Sequence, residues 1–251
     1  MKFENKIVLI TGAAHGMGKN HAKAFINEGA TVIITDINEE LGKQTAVELG
    51  DKALFIKHDV AEEADWINVV NIINEKFGKL DVLVNNAGVM PFGPLGMMTF
   101  DDYKKYIGIN QFSVFLSLTH CVSLLKNSGN ASVINVSSTA GLRAMPYGAA
   151  YNSSKFAVRA LSKVAALEWA KSGIRVNTLC PGPTMTKDVD LTQSASHGDG
   201  GSVAAFLETL PMGRFGTMDE LTKMVLFLAS DDSSFCTGAD FVADGGITEN
   251  K

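Results

Sequence analysis

Short apolar runs rich in β-branched residues alternate along this chain with longer amphipathic segments. The apolar runs lie at residues 6–10, 31–35, 53–57, 81–85, 132–138, 175–180 and 240–244. Segments between them, such as 18–29, 38–50 and 62–78, have helical spacing, and each of these three ends in a glycine. Glycine is common where a helix ends, because it adopts a left-handed backbone without strain. The pattern therefore predicts strands that alternate with helices.

Near-continuous apolar strands separated by helices are typical of a parallel sheet that is covered on both faces. We therefore predict an α/β fold: a doubly wound, Rossmann-type parallel sheet of seven strands with helices on both faces. Chains of roughly 200–250 residues can form one domain. No Pro- or Ser-rich linker interrupts residues 1–251, so we expect a single domain. The segment 183–213 lacks an apolar period and is expected to be a substrate-site loop.

Composition narrows the class of protein. The net charge is −5 and the 22 Lys and Arg residues form no dense run, so a nucleic-acid partner is not expected. The three cysteines have no CxxC spacing and are predicted to be buried, reduced thiols, which fits a cytoplasmic protein. Neither a signal peptide nor an apolar run near the ~18 residues of a membrane span is apparent. The histidines lack metal-ligand spacing, so no metal is predicted.

The first strand leads directly into the sequence TGAAHGMG at residues 11–18. Glycines at such a turn let the backbone approach a pyrophosphate, and the N-terminus of the following helix offers free N–H groups. The spacing of Gly12, Gly16 and Gly18 differs from the commoner GxGxxG, and the triplet alone is a weak signal. Its position between the first strand and the first helix is what favours an NAD(P)-binding domain.

Asp36 ends the second predicted strand, a little over twenty residues after Gly12. A carboxylate at this point accepts hydrogen bonds from the adenosine ribose hydroxyls and repels a 2′-phosphate. Ile37 and Asn38 supply no cation for that phosphate, and His15 should be mostly neutral at pH 7. NAD is therefore favoured over NADP. The alternative is that Asp36 is only the N-cap of the next helix.

Six motifs occur in order along the chain. They are TGAAHGMG (11–18), NNAG (85–88), NVSS (135–138), YNSSK (151–155), PGPTMT (181–186) and VADGG (242–246). Together they resemble the short-chain dehydrogenase/reductase family, in its single-domain branch of about 250 residues. The resemblance extends from residue 6 to about residue 247. It implies hydride transfer between a nicotinamide nucleotide and an alcohol or ketone.

Tyr151 and Lys155 are four residues apart at the start of a predicted helix, so their side chains share a face. An ammonium group there stabilises phenolate, and we expect it to lower the tyrosine pKa from its usual ~10. The resemblance implies that Tyr151 is the general acid/base of the reaction. It also implies that Lys155 binds the nicotinamide ribose. The alternative is that both are surface residues of a helix.

The resemblance assigns roles to two further polar residues. Ser138, the second serine of NVSS, would hold the substrate oxygen as charge develops on it. Asn110 would sit on a helix and link Lys155 to solvent through water. The alternatives are that Ser138 only caps a turn and that Asn110 is an ordinary polar residue of a helix.

The resemblance also implies a path for the cofactor over several strand ends. Its residues are Gly12, His15, Gly16, Met17, Gly18, Asp36, Ile37, Asp59, Val60, Asn86, Ala87, Gly88, Tyr151, Lys155, Pro181, Gly182, Thr184 and Thr186. Asp59 has the alternative role of a helix N-cap, and Asn86–Gly88 that of a structural turn. Thr184 is polar where the family often has Val or Ile, a departure that changes little if the backbone makes the contact.

The segments expected to contact substrate are mostly apolar. They contain Met90, Leu95, Leu142, Met145, Tyr147, Phe206 and Leu207. An apolar pocket predicts a neutral, fairly hydrophobic secondary alcohol or ketone. Cys180 lies nearby but is expected to be a buried, inert thiol. His197, in the predicted loop, is expected to be solvated.

Assembly and competing functions complete the expectations. Two predicted helices, 112–125 and 156–170, are apolar over more than one face, and the resemblance implies a homotetramer built on them. A rival within the family is an NADP-dependent 3-oxoacyl-carrier-type reductase, against which Asp36 argues. A non-catalytic nucleotide-binding member is a rival of another class, although the chain keeps Ser138, Tyr151 and Lys155. An epimerase or dehydratase usually has a longer C-terminal domain.

Overall fold

The computed structural model of the protein describes residues 1–186 and 203–249. Its main sheet has seven parallel strands in the order β3-β2-β1-β4-β5-β6-β9. The strands are β1 (Ile7–Thr11), β2 (Thr31–Asp36), β3 (Ala53–Lys57), β4 (Val82–Asn85), β5 (Ala131–Val136), β6 (Ile174–Pro181) and β9 (Asp240–Ala243). Each lies on one of the seven predicted apolar runs. The predicted parallel sheet is confirmed.

Helices connect these strands. In the described residues they are α1 (Gly16–Asn27), α2 (Glu39–Leu49), α3 (Glu63–Phe77), α4 (Phe100–Ile107), α5 (Ser113–Ser128), α6 (Ala149–Trp169), α7 (Val203–Thr209) and α8 (Met218–Ala229). Leu9 of β1 packs on one face of the sheet with Trp66 of α3 and Leu125 of α5. Its neighbour Ile10 packs on the other face with Phe25 of α1. Successive strand residues point to opposite faces, so helices cover both sides, as a doubly wound fold requires.

The strand order places a crevice at the centre of the sheet. From β1 the chain proceeds outward through β2 to β3, and it then returns to the opposite side of β1 as β4. The connections on the two sides of β1 therefore run in opposite directions. In open α/β sheets, ligands bind at the carboxyl ends of strands where the order reverses in this way. The predicted glycine turn follows β1 at this point.

The helical stretch Phe100–Ser128 consists of α4, a π-helical turn (Gly108–Phe112) and α5. By length and composition it could cross a membrane, a test that the core helix of a soluble protein also passes. On its inner face Val114 and Leu125 are buried in the same core as the sheet. The prediction that no apolar run approaches the length of a span thus underestimated this stretch.

The segment predicted as one irregular loop, 183–213, contains regular structure at both ends. Strand β7 (Thr184–Met185) pairs with β8 (Gly216–Thr217), and α7 follows from Val203. The prediction was therefore wrong for these parts of the segment. The middle of it, including the predicted solvated His197, lies outside the described residues.

Candidate active site

A cleft of about 870 Å³ opens at the carboxyl edge of the sheet, where the strand order reverses. Twelve of the predicted cofactor-binding residues line it: Gly12, His15, Gly16, Met17, Asp36, Ile37, Asp59, Val60, Asn86, Ala87, Gly88 and Thr186. They come from five separate parts of the sequence. The fold therefore brings most of the predicted set to one cavity.

The glycine turn after β1 is shaped by close backbone packing. Gly12 has φ +62° and Gly16 has φ +57°, a region that side chains strain. A Cβ atom on Gly12 would lie 2.8 Å from the Cα of Ala87, and one on Gly18 would lie 2.7 Å from Nδ2 of Asn86. Gly18 thus lets α1 pack against the end of β4 and is absent from the cleft lining.

The N-terminus of α1 at this turn suits an anion. Its first turn contains no acidic residue, whereas α2 and α3 each have two there. The partial positive charge of the free N–H groups is therefore not compensated by a carboxylate. Together with the close backbone approach at Gly12, this arrangement fits the pyrophosphate of a dinucleotide.

Asp36 is buried at the end of β2 and holds the neighbouring backbone. One carboxylate oxygen accepts a hydrogen bond from Ala14 N at 3.1 Å, and the other accepts one from Asn38 N at 3.0 Å. The N-cap of α2 is Asn38, whose side chain accepts from Leu41 N. The alternative N-cap role for Asp36 is therefore wrong. Each carboxylate oxygen can accept a further bond, so the group can still bind ribose hydroxyls.

Asp59 follows β3 and closes a tight turn. Its Oδ1 accepts from Ala61 N at 3.0 Å, while the N-cap of α3 is Glu62. The alternative role of Asp59 as a helix N-cap is therefore also wrong. Asp59 and Val60 line the same cleft as Asp36 and Ile37, which follow the neighbouring strand β2, so this end of the cleft is where the adenosine of a dinucleotide would lie.

His58 lines this part of the cleft but was absent from the predicted set. Its Nδ1 lies 3.0 Å from the Thr35 hydroxyl, and its ring packs edge-on against Trp66 at 4.3 Å. Among the described residues its Nε2 has no hydrogen-bond partner. Burial lowers the His58 pKa to about 4, so the ring is neutral at pH 7. A lone histidine after an apolar strand gives no signal of a site in sequence.

The Asn86–Gly88 turn ties the ends of β1 and β4 together. Asn86 Nδ2 donates to the carbonyls of Thr11 and Gly12, at 2.9 and 3.0 Å. The Thr11 hydroxyl accepts from the backbone N–H groups of Asn86 and Ala87. The structural-turn alternative is correct as far as these bonds go, and the same turn also forms a wall of the cleft.

Tyr151 and Lys155 lie in the first turns of α6, facing the end of β5. Lys155 is buried; its Nζ donates to Val136 O at 2.9 Å and lies 5.7 Å from the centre of the Tyr151 ring. Burial lowers the Lys155 pKa to about 8. The alternative that this pair is a surface feature is wrong for Lys155, because surface lysines do not lose their solvation in this way.

The pKa of Tyr151 departs from expectation. Burial raises it above the usual value, and a hydrogen bond with the Ser138 side chain only partly opposes the rise. We expected Lys155 to lower it. The correction has a physical reason: the Lys155 ammonium is directed to the Val136 carbonyl, and desolvation of the phenol dominates.

Ser138 follows β5 and serves two purposes. Its hydroxyl accepts from Ala140 N at 3.1 Å and caps a single 3₁₀ turn, Thr139–Gly141. The same side chain is the hydrogen-bonding neighbour of Tyr151. The turn-capping alternative is therefore correct but incomplete.

Asn110 lies in the π-helical turn between α4 and α5, rather than on an ordinary helix. Its Oδ1 accepts a hydrogen bond from Val89 N and its Nδ2 donates to Val89 O, both at 2.8 Å. A Cβ atom on Gly88 would lie 3.2 Å from Asn110 Oδ1 and 3.4 Å from Lys155 Nζ. Asn110 and Lys155 thus both lie close to Gly88. Single π-helical turns within helices are frequent at functional sites.

The PGPTMT motif begins at Pro181, the last residue of β6, beside the C-terminal strand β9. Gly182 packs closely on the chain after β9, since its Cβ would lie 2.5 Å from Asp244 Cα. The Thr184 hydroxyl donates to Gly182 O at 2.9 Å, so its side chain stabilises this turn. Of this motif, Thr186 lines the described cleft, whereas Pro181, Gly182 and Thr184 do not.

The segments predicted to contact substrate surround Tyr151 in part. The Phe92 ring centre lies 6.4 Å from that of Tyr151, and Gly93 N donates to Tyr147 O. Tyr147 has φ +64°, a strained conformation that is common at functional sites. Met90 and Leu95, from the same predicted segments, are exposed apolar residues.

Two of the three cysteines are buried, as predicted. Cys180 and Cys121 are buried, and burial raises their pKa values to about 11 and about 12. Cys236 is half-exposed, contrary to the prediction that all three are buried. Within residues 1–186 and 203–249, no group of three potential ligands could hold a metal ion.

The sheet and the cleft at its switch point define a Rossmann-type α/β protein. A family model described as enoyl-(acyl carrier protein) reductase matches residues 12–248. An uncharacterized oxidoreductase of Thermotoga maritima is 40% identical over 99% of both chains. A 3-alpha-(or 20-beta)-hydroxysteroid dehydrogenase of Mycobacterium tuberculosis is 39% identical over 96% of this chain and 88% of its own. A cyclopentanol dehydrogenase of Comamonas testosteroni is 38% identical over 99% of both.

The chain belongs to the short-chain dehydrogenase/reductase family. Members of this family are oxidoreductases that use NAD(P) nucleotides, and the relatives named above include enzymes that act on hydroxy groups. The residues of the cleft fit such a nucleotide, because a close-packed glycine turn, an uncompensated helix N-terminus and a buried carboxylate occur at the positions it requires.

Proposed function

We propose that the protein is an NAD-dependent oxidoreductase that interconverts a neutral, fairly hydrophobic secondary alcohol and its ketone, with Tyr151 as general acid/base. The observation that carries the proposal is the grouping of Tyr151 with Ser138 and the buried Lys155 amine beside Gly88, a wall of the cleft. The names of the hydroxysteroid and cyclopentanol dehydrogenases support neutral alcohols as the substrate class.

A nicotinamide nucleotide supplies the hydride chemistry when bound. The protein would supply the proton at the Tyr151 hydroxyl and would hold the substrate oxygen at the Ser138 hydroxyl. Because burial raises the pKa of Tyr151, the phenol is protonated near neutral pH. It is then ready to donate to a ketone. Alcohol oxidation needs phenolate, so its rate should rise as pH increases toward the tyrosine pKa.

The mechanistic test is Tyr151→Phe, with Tyr103→Phe as a matched control on α4. We expect the first change to lower ketone reduction by at least ~10³-fold, because the phenol proton is lost, while the control keeps wild-type turnover. NADH absorbance measures turnover over a panel of alcohols and ketones, and NADH fluorescence measures binding, which should persist in both variants. Substantial turnover by Tyr151→Phe would remove Tyr151 from the mechanism.

The preference for NAD rests on Asp36. Its buried carboxylate would repel a 2′-phosphate. The lysines that line the described cleft are Lys104 and Lys105, and they lie on α4 rather than on the chain next to Asp36. Lys104 is paired with Asp101 at 2.8 Å. We expect NADH to bind at least ~10-fold more tightly than NADPH, and Asp36→Ser to narrow or reverse this ratio. Fluorescence titration with NADH and with NADPH measures the two affinities. Tighter binding of NADPH by the wild type would refute the preference for NAD.

A second candidate comes from the description of the family model, an enoyl-(acyl carrier protein) reductase. An enoyl substrate presents a carbon–carbon double bond, so the alkene carbon rather than a carbonyl oxygen would receive the proton. Met90 and Leu95 are exposed and apolar, which favours a neutral substrate over an acyl-carrier phosphopantetheine group. Adding a 2-enoyl thioester and a 3-oxoacyl thioester to the panel separates these reactions. Absence of turnover with every substrate would favour a non-catalytic nucleotide-binding role.

The apolar outer faces of α5 and α6 support a homotetramer. The exposed large residues on these helices and the preceding turn are Phe112, Phe115, Phe156, Val164 and Leu167. Contiguous exposed apolar residues mark protein interfaces. We propose a cytoplasmic, homotetrameric enzyme without a nucleic-acid or membrane partner. Light scattering of the purified protein tests the assembly, and a stable monomer would contradict it.

A further inference from the structure

The segment 136–143, which contains Ser138, is held to α6 by its backbone carbonyls. Three side chains of α6 donate to four of these oxygens: Lys155 to Val136 at 2.9 Å, Asn152 to Ala140 and Arg143 at 2.7 and 2.9 Å, and Arg159 to Gly141 at 2.6 Å. Lys155 has a role in the proposed reaction already. Arg159 does not, and the sequence did not single it out.

Arg159 connects this segment to the last strand of the sheet. Its Nη1 donates to Gly141 O, and its Nη2 donates to Asp240 Oδ2 on β9 at 2.8 Å. Arg159 follows Lys155 by four residues on α6, so both face the same segment. The Arg159–Asp240 pair is largely enclosed, with 22% and 14% of the two side chains exposed. Hydrogen bonds between such charged groups are stronger than those between neutral groups.

Gly141 transmits this contact to Ser138. Its N–H donates to Ser138 O at 2.9 Å, while its own carbonyl accepts from Arg159. Its backbone is pressed against α6, since a Cβ there would lie 2.7 Å from Lys155 O. The Ser137 hydroxyl donates to the same Lys155 carbonyl at 2.8 Å. One residue thus joins Arg159 to the turn that Ser138 caps.

We infer that Arg159 is a positioning residue: by holding the Gly141 carbonyl, with Asp240 as its anchor, it fixes the Ser138 hydroxyl against Tyr151. The inference rests on the proposed function, because it concerns the geometry of the same site. The charged and titratable neighbours of Arg159 are Asp240, Lys163 of α6, which pairs with Asp240 at 2.8 Å, and Cys180. A displacement of about 1 Å at a reacting group can reduce a rate by ~10²-fold.

The test compares Arg159→Met with the matched control Lys163→Met. Both remove a cation from Asp240, but only the first removes the hydrogen bond to Gly141 O. We expect Arg159→Met to lower kcat by ~10- to 100-fold with unchanged NADH affinity, and the control to stay within about twofold of wild type. The pH profile of alcohol oxidation should shift to higher pH in Arg159→Met. The hydrogen bond between Ser138 and Tyr151 lowers the Tyr151 pKa, and this variant weakens that bond.

The variant Arg159→Lys distinguishes loss of the Gly141 contact from a general loss of folding. A lysine can pair with Asp240, as Lys163 does, but a single ammonium lacks the fork that reaches Gly141 O as well. We expect Arg159→Lys to have the melting temperature of the wild type and nevertheless to show a lowered kcat, as Arg159→Met does. Wild-type kcat in Arg159→Lys, or equal kcat in Arg159→Met and Lys163→Met, would overturn the inference.

Hydrogen exchange separates this inference from the proposed function. The amides of Gly141 and Arg143 donate to Ser138 O and Thr139 O, and they should exchange faster in Arg159→Met than in Lys163→Met. This result does not depend on which reaction is catalysed. If Tyr151→Phe retains turnover while exchange follows the expectation, the proposed function fails and the contact stands. Unchanged exchange in Arg159→Met would refute the contact itself.

Discussion

Replacing Lys155 with Met should make the protein more stable and abolish its turnover. The Lys155 side chain is buried at the end of β5, and its pKa is lowered from 10.5 to about 8 because burial disfavours the charged form. At neutral pH the amine is nevertheless mostly protonated, so the folded protein carries the cost of a desolvated charge. Met has a similar length and is apolar, and it removes that charge while filling the same space.

The magnitude follows from the pKa values. A difference between 10.5 and about 8 corresponds to about 3 kcal/mol at about 1.4 kcal/mol per unit. The substitution also removes the hydrogen bond from Nζ to Val136 O. Leaving that carbonyl without its partner costs about 1–2 kcal/mol. The net expectation near neutral pH is a variant more stable than the wild type by about 1–2 kcal/mol.

The pH dependence identifies the cause. The unfolded chain binds more protons than the folded one between the folded pKa of about 8 and the unfolded value of 10.5. Wild-type stability therefore rises with pH in this window, by the linkage relation. The advantage of Lys155→Met should shrink by about 2 kcal/mol between roughly pH 7 and pH 9.5, and then reverse. Other titrating groups are common to both proteins and cancel in the difference.

Urea unfolding of both proteins across this pH range provides the measurement. Lys163→Met is the control, because the Lys163 side chain is 44% exposed. The control should show no stabilisation at any pH. Lower stability of Lys155→Met near neutral pH, or a difference from wild type that does not change with pH, would refute the reasoning. Either result would mean that the Lys155 charge is solvated or paired in a way that burial does not reveal.

Two further changes test the packing of the fold. Gly18→Ala should weaken NADH binding and lower the melting temperature, because the new Cβ would lie 2.7 Å from Asn86 Nδ2 and 2.8 Å from Ala13 Cα. Calorimetry measures the melting temperature, and fluorescence titration measures NADH binding. If neither value changes, the close approach of α1 to these atoms is contradicted. His21 of α1 is buried against Thr222 and burial lowers its pKa to about 4. As the pH falls, His21 is protonated in the unfolded chain before it is protonated in the folded protein. The free energy of unfolding should therefore decrease as pH drops from about 6.5 to about 4, with His21 contributing on the order of 3 kcal/mol. His21→Gln should flatten part of the pH dependence of urea unfolding, and an unchanged slope would show that His21 is not its source.

The strands and the glycine turn could be predicted because their signal is local. Each of the seven strands of the main sheet lies on a short, mostly apolar run, and the five inner strands are almost wholly buried, which is typical of a parallel sheet covered on both faces. Gly12 and Gly16 have a positive φ, which the residue type itself indicates. The position of Asp36 at the end of β2 follows from the same reasoning. Such features depend on backbone preference and on burial, which each segment determines largely alone.

Tertiary structure decided which partners the polar side chains have. Asn38, rather than Asp36, caps α2, and Asn110 lies in a π-turn whose bonds to Val89 join residues 21 positions apart. Burial raises the Tyr151 pKa where helix spacing alone predicted a decrease. The contact of Arg159 with Asp240 spans 81 positions. Desolvation and hydrogen bonding depend on everything that packs around a group, so only the complete fold determines them.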